Sequence, residues 1–235
     1  MMTSIRHLLA GLLLVSATSA VGEPPERLVD FRSDEGEQFL VQAESRRAYF
    51  PLASHFVCQE NRSFCGVASM AMVLNAMQVS APAVPELAPY RTFTQTNVLD
   101  AATEAVVSRA TIREQGMSLD QFAAVFATKP VTLSVHHADT STLGEFRARA
   151  CDYLARPDHF VIVNYLRQAI GQEGGGHHSP LAAYHRESDR FLILDVARYK
   201  YPPVWVTAAD LFSAMNTGDP TVSGTTRGYL LVSGK

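Results

Sequence analysis

The sequence predicts an α+β fold, a helical half packed against an antiparallel sheet, and three observations lead there. Helical spacing dominates the first half of the chain, and short apolar strands dominate the second; segregation of the two types is the α+β pattern. The composition supports a packed core, since 47% of the 235 residues are apolar and 18% charged, which is globular and not disordered.

The elements follow in order. Residues 1–22, "MMTSIRHLLAGLLLVSATSAVG", have a basic start at Arg6 and His7, an apolar core from Leu8 to Val15, and small residues after it. This reads as a signal peptide cleaved after Ala20 or Gly22, too short to span a bilayer. The expected protein is periplasmic or secreted, without stable membrane insertion after processing. Residues 23–235 are then one domain with a sizeable core. Residues 23–48 read as a polar surface segment. Val67, Met70, Ala71, Leu74 and Met77 recur at helical spacing. Residues 78–97 carry three prolines and read as a loop. Helical signals return at 98–109, and Ser118 with Gln121 forms a capping-box pair. The pattern then alternates: a strand at 131–135, a helix at 141–155, a buried strand at 159–166 and a glycine-rich loop at 167–176. Strands at 177–185 and 190–197 form a hairpin through "RESD", followed by a helix at 207–215 and a closing strand at 228–233.

Net charge is −3 with no basic stripe, so nucleic acid is not an expected partner. The cysteines are Cys58, Cys65 and Cys151. An odd number leaves at least one thiol unpaired in an exported monomer. Cys58 and Cys151 are read as thiols in preference to a disulfide. No CxxC or Cys/His cluster has zinc spacing, so no metal site is predicted.

Cys65 heads the apolar helix, where the dipole and free backbone N–H groups lower a thiol pKa. Gly66 would let a substrate carbonyl approach the backbone, and Gln59 could offer a side-chain N–H to a developing oxyanion. A buried structural cysteine at a helix start is the competing reading. A nucleophilic thiol needs a base and a group to orient it. "GGGHHSP" supplies His177 and His178 on a strand, of which alternation lets one face Cys65. Asp195 is a lone carboxylate ending an apolar strand; unpaired burial would be costly, and holding an imidazole would satisfy it.

Gln59, "SFCG" (63–66), "VLNAM" (73–77), "VNYL" (163–166), "GGGHHSP" (174–180), "LILDVARYKYPP" (192–203), "AMNTGD" (214–219) and "TRGYLLVS" (226–233) together resemble phytochelatin synthase, in its short bacterial form. The resemblance runs from about Tyr49 to Ser233. It implies a papain-like cysteine transpeptidase fold over residues 23–235, without a cysteine-rich C-terminal domain. It implies glutathione as substrate and a γ-glutamylcysteinyl acyl-enzyme, resolved mainly by water and less by a second glutathione. The family's triad falls on Cys65, His177 and Asp195, which settles the choice between the histidines, and its oxyanion-hole glutamine falls on Gln59. Asp219 and Arg227 resemble the pair holding the γ-glutamyl end, an ammonium and a carboxylate seeking opposite charges. Asn164, Gly175 and Gly176 are expected to line the same pocket. No cofactor is implied; activation by cadmium or zinc would come through metal–glutathione thiolates. The oligomeric state is not legible, leaving a homodimer open. The competing functions are a papain-like peptidase of broader specificity and a catalytically silent thiol or metal-thiolate receptor.

Overall fold

A computed structural model describes Pro25, residues 27–220 and residues 224–234. The signal-peptide reading falls on residues 1–22, outside the described residues. In chain order the elements are β1 (Val29–Asp30), α1 (Asp34–Gln42), α2 (Tyr49–Ser54), α3 (Cys65–Ala76), α4 (Ala101–Glu104), α5 (Arg109–Gln115) and α6 (Leu119–Phe126). Then come β2 (Val131–His137), α7 (Leu143–Ala155), β3 (His159–Leu166), β4 (Gly176–His185), β5 (Arg190–Ile193), β6 (Val204–Thr207), α8 (Ala208–Met215) and β7 (Gly228–Gly234). The α+β expectation holds: the strands form one seven-stranded sheet in the order β1-β6-β5-β4-β3-β7-β2, antiparallel at every pairing.

Helix α3 is the central element. Every residue of it except Asn75 is buried. A helix apolar on all sides belongs inside a core, and α3 packs against β4 while α7 and α8 pack against β3. Helix α6 starts where expected, with the Ser118–Gln121 capping box formed in both directions. Thr142 and Glu145 form a second box that fixes the start of α7.

The segment from 23 to 48, expected to be a polar surface stretch, instead holds β1 and α1. Ser33 caps α1 by accepting the Gly36 N–H at 3.1 Å. Fully buried Trp205, on β6, donates its indole N–H to the Gly36 carbonyl at 3.0 Å and ties this segment to the sheet. The "RESD" turn closes the β4–β5 hairpin as expected, but β5 ends at Ile193. Residues 194–197 leave the ladder, which frees the Asp195 side chain from strand alternation.

Strand β7 passes β2 at a point that admits no side chain. A Cβ on Gly228 would lie 2.0 Å from the His136 carbonyl oxygen and 2.9 Å from the His137 Cα. Both obstacles are backbone, so neither can turn aside. Gly228→Ala is expected to destabilise the fold by about 3 kcal/mol or more, read as a fall in the urea midpoint at unchanged slope. A midpoint equal to wild type would mean that the sheet edge relaxes freely.

Candidate active site

Cys65 stands at the first position of α3, 8% exposed. The N-cap residue, Phe64, gives no side-chain cap, so the positive end of the helix faces the thiol region without a competing acceptor. The thiol faces the His177 side chain and the His178 backbone. Burial pushes its pKa up and is the largest single effect. The His177 hydrogen bond and charge, the His178 backbone and the Arg167 charge together outweigh it, so the thiol ends below its ordinary value.

His177 comes from the start of β4. Its Nε2–H donates to Asp195 Oδ1 at 2.9 Å, which leaves Nδ1 as the nitrogen for the thiol. Ser179 Oγ lies 3.0 Å from the same Nε2 and accepts the Val196 N–H at 3.3 Å. Burial and the Arg167 charge push the imidazole pKa down; Asp195 and Cys65 push it up and prevail.

Asp195 is fully buried. Its Oδ1 accepts from Arg167 Nη2 at 2.8 Å and from the Ala197 N–H at 2.8 Å. Its Oδ2 lies 2.7 Å from Arg167 Nη1, an ion-pair contact outside hydrogen-bond angles. Burial alone would raise the carboxyl; the His177 and Arg167 charges hold it below the usual carboxylate range. Arg167 is the residue the sequence reading missed. Only 4% of it is exposed, its Nη1 also donates to Gln172 Oε1, and it lies over the Tyr201 ring at 5.5 Å. In sequence it opens the stretch read as a glycine-rich loop, 167–176.

The two histidines separate as strand alternation requires. Tyr165 pairs across the sheet with His177, and Asn164 with His178. The His178 ring is buried with Phe122, its Nε2 3.0 Å from the Met117 carbonyl and 2.9 Å from Asn164 Nδ2. Burial drives its pKa down to about 4, so it is neutral at pH 7.

A cavity of about 250 Å³ opens beside Cys65 and runs past Asn164, Gly176 and His178 to Asp219 and Arg227. Arg227 is buried, its Nη1 donating to Thr217 Oγ1 at 3.0 Å and to the Gly218 carbonyl. Its Nε and Asn164 Oδ1 are buried without a hydrogen-bond partner among the described residues. Burial lowers the Arg227 pKa, and Asp219 opposes that shift. Gly175 does not line the cavity; its carbonyl accepts the Arg167 backbone N–H at 3.1 Å, so it braces the chain at the end of β3 instead.

Two further expectations change in detail. Gly66 does not face the cavity; a Cβ there would meet the Met117 methyl at 2.9 Å and Phe122 at 3.3 Å. Its small size serves packing against the start of α6, not approach of a carbonyl. Gln59 is buried beside the Asp195 loop through its N–H to the Val196 carbonyl at 2.8 Å. Its Nε2 donates to the Asn61 carbonyl at 2.6 Å and to the Tyr199 hydroxyl at 3.3 Å. All three cysteines are free thiols, and burial pushes Cys151 up to about 12. Among the described residues, no group of three or more His, Cys, Asp or Glu side chains could hold a metal ion.

A buried thiol, an imidazole and a carboxylate in hydrogen-bonded series, opening on a cavity, is the arrangement that thiol-based acyl transfer requires. The chain belongs to the phytochelatin synthase family, whose model matches residues 22–229. Among similar curated proteins, glutathione gamma-glutamylcysteinyltransferase 3 of Lotus japonicus is 34% identical over 213 residues, covering 89% of this chain and 43% of the relative. Glutathione gamma-glutamylcysteinyltransferase 1 of Triticum aestivum is 35% identical over 213 residues, covering 89% and 41%. The glutathione gamma-glutamylcysteinyltransferase of Schizosaccharomyces pombe is 29% identical over 211 residues, covering 88% and 49%. The chain thus spans less than half the length of these relatives.

The electrostatics give a test. Asp195→Asn removes a charge that raises His177, so the imidazole pKa falls. The thiol then loses a cationic partner and its pKa rises. At pH 7 the alkylation of Cys65 by iodoacetamide should slow by about tenfold or more, one pKa unit being a factor of ten in thiolate, and the acid limb should move to higher pH. An unmoved limb in folded variant protein would break the proposed coupling.

Proposed function

We propose that the protein cleaves glutathione at its Cys–Gly amide through a covalent intermediate on Cys65, as a γ-glutamylcysteinyltransferase that acts mainly as a hydrolase. The observation that carries this reading is the buried Cys65–His177–Asp195 series opening on a cavity that ends at Asp219 and Arg227. The relatives' names point to the same substrate. A helix bearing the thiol, packed against a strand bearing the imidazole, suits a papain-like reading of the fold.

The γ-glutamyl end enters the cavity, its ammonium toward Asp219 and its carboxylate toward Arg227. Arg227 Nε and Asn164 Oδ1, buried without partners among the described residues, gain them when a polar ligand enters, which offsets a desolvation cost of about 1–3 kcal/mol each. The Cys65 thiolate attacks the amide carbon and a C–S bond forms. The oxyanion takes the Cys65 N–H at the start of α3, and Gln59 reaches it by exchanging its long Tyr199 contact for the substrate oxygen. His177 gives its proton to the glycine nitrogen as the C–N bond breaks. Asp195, held ionised by Arg167, keeps the imidazole oriented throughout.

The thioester is then resolved. His177 takes a proton from water, the new C–O bond forms, the C–S bond breaks, and γ-glutamylcysteine leaves. Hydrolysis leads because the cavity is lined, among the described residues, by a single carboxylate, Asp219, so once the donor's ammonium engages it no second carboxylate is there for an acceptor. Holding an acceptor would need further contacts. Cadmium or zinc reaches the site as metal–glutathione thiolate, that is, as substrate. Residues 1–22 are proposed to direct export to the periplasm or outside the cell. N-terminal sequencing of the mature protein should begin between Val21 and Glu23, and a retained Met1 would refute export.

Intact-mass analysis with glutathione should give a γ-glutamylcysteinyl adduct on wild type and none on Cys65→Ser, since a hydroxyl here is a far weaker nucleophile. In a time course, free γ-glutamylcysteine should accumulate faster than polymers of two or more such units. An adduct on Cys58 or Cys151 would overturn the nucleophile, and faster polymer would overturn the hydrolase reading.

A further inference from the structure

We propose that Arg62 is a carboxylate-binding residue on the opposite side of Cys65 from Arg227: it holds the glycine carboxylate of the donor, and then the α-carboxylate of any amine that attacks the acyl-enzyme. The inference rests on the reading of glutathione as donor and adds the leaving-group side of the site.

Arg62 lines the same cavity as Cys65, Asp219 and Arg227. It is exposed, three residues before the thiol. Among the described residues its guanidinium makes no hydrogen bond or ion pair, whereas Arg227 is held by Thr217 and Gly218. The two guanidiniums belong to different ends. Gln59 Nε2 donates at 2.6 Å to the Asn61 carbonyl, which belongs to the peptide joining Asn61 to Arg62. Arg227 instead lies against the start of β4, where a Cβ on Gly176 would meet its Nε at 3.1 Å. Arg62 therefore stands on the Gln59 side, where the leaving group must go if the γ-glutamyl end lies on Arg227.

Charge matching assigns its ligand. At neutral pH glutathione carries an ammonium and a carboxylate at its γ-glutamyl end and a second carboxylate on its glycine. The cavity offers one carboxylate, Asp219, and two guanidiniums, Arg227 and Arg62. With the γ-glutamyl end on Asp219 and Arg227, one carboxylate and one guanidinium remain, and a guanidinium fork suits a carboxylate.

The same residue serves an acceptor, because the leaving and attacking groups share a geometry. The glycine nitrogen is one carbon from a carboxylate. The free amine of a second glutathione, on its γ-glutamyl residue, is also one carbon from a carboxylate. In the transfer step that amine forms a C–N bond at the thioester carbon, the C–S bond breaks, the electron pair returns to Cys65 Sγ, and the amine proton passes to His177. This is cleavage run backwards, so the incoming carboxylate occupies the place the glycine carboxylate left.

The test compares glutathione with its analogue in which the glycine carboxylate is an amide. For wild type, kcat/KM for release of glycine should exceed that for glycinamide by about tenfold, the usual weight of a charged hydrogen bond. In Arg62→Gln that preference should fall near one, and Arg62→Lys should keep part of it. Incorporation of isotopically labelled glycine into glutathione should fall by a similar factor in Arg62→Gln. Because each variant is judged by a ratio of two substrates, loss of folded protein cannot imitate the result. An equal preference in wild type and Arg62→Gln overturns the role of Arg62 while leaving glutathione cleavage intact. Failure of wild type to release glycine at all, with Cys65 still alkylated, overturns the donor reading and this inference with it.

Discussion

The site depends on one buried carboxylate. Asp195 has no exposure, and an ion so placed is tolerated only when paired and hydrogen-bonded. Arg167 spans both of its oxygens, His177 takes one, and the Ala197 N–H takes the same one. Removing Arg167 would leave the carboxylate with a single cationic partner that is itself titratable. The carboxyl would then take up a proton more readily, while His177 would be relieved of the guanidinium charge that lowers its pKa. Arg167 does not line the cavity, yet it helps hold Asp195 ionised.

The geometry around that carboxylate is fixed by backbone. Gln59 N–H reaches the Val196 carbonyl, Leu194 N–H reaches the Pro180 carbonyl, and Ser179 Oγ accepts from Val196. These bonds hold residues 194–197 beside the start of β4 after the β4–β5 ladder has ended at Ile193. A regular strand would have committed Asp195 to one face of the sheet by alternation. Leaving the ladder lets the carboxylate turn toward His177, and α3 then brings Cys65 to the other side of the imidazole.

Much of this was legible because the local signals agree with the fold. The apolar run behind Cys65, the Ser118–Gln121 capping box and the "RESD" hairpin each specify their element with local chemistry. Cys65, His177 and Asp195 were legible as types: a thiol at a helix start, a histidine on a strand, a carboxylate where none should be buried alone. Arg167 was not, because an arginine after an apolar strand is ordinarily a solvated end, and only the return of residues 172–195 over it makes it buried. Strand β1 and helix α1 were missed because "DEGEQFLVQ" has few apolar residues; tertiary anchors, above all the Trp205 indole on Gly36, hold them in place. The role of Gly66 was misread because the side chain it makes room for, Met117, lies 51 positions away in sequence.

The adjacent histidines show how one dipeptide can serve two environments. His177 faces an anion and a thiol, and its pKa is raised; His178 faces a carbonyl, an amide and Phe122, and its pKa drops to about 4. If both were charged, two imidazolium groups would sit on neighbouring residues, and the second would stand on the wall of the cavity. There it would repel the ammonium proposed to meet Asp219 and oppose the proton proposed to pass through His177. Burial of the His178 ring between Phe122, Asn164 and the Met117 carbonyl prevents this by penalising its charged form. The cavity wall therefore keeps a neutral imidazole between the thiol and the charged end, so the fixed charges there remain Asp219 and Arg227. Strand alternation is what makes this division available, because it sends neighbouring side chains into different surroundings at no conformational cost.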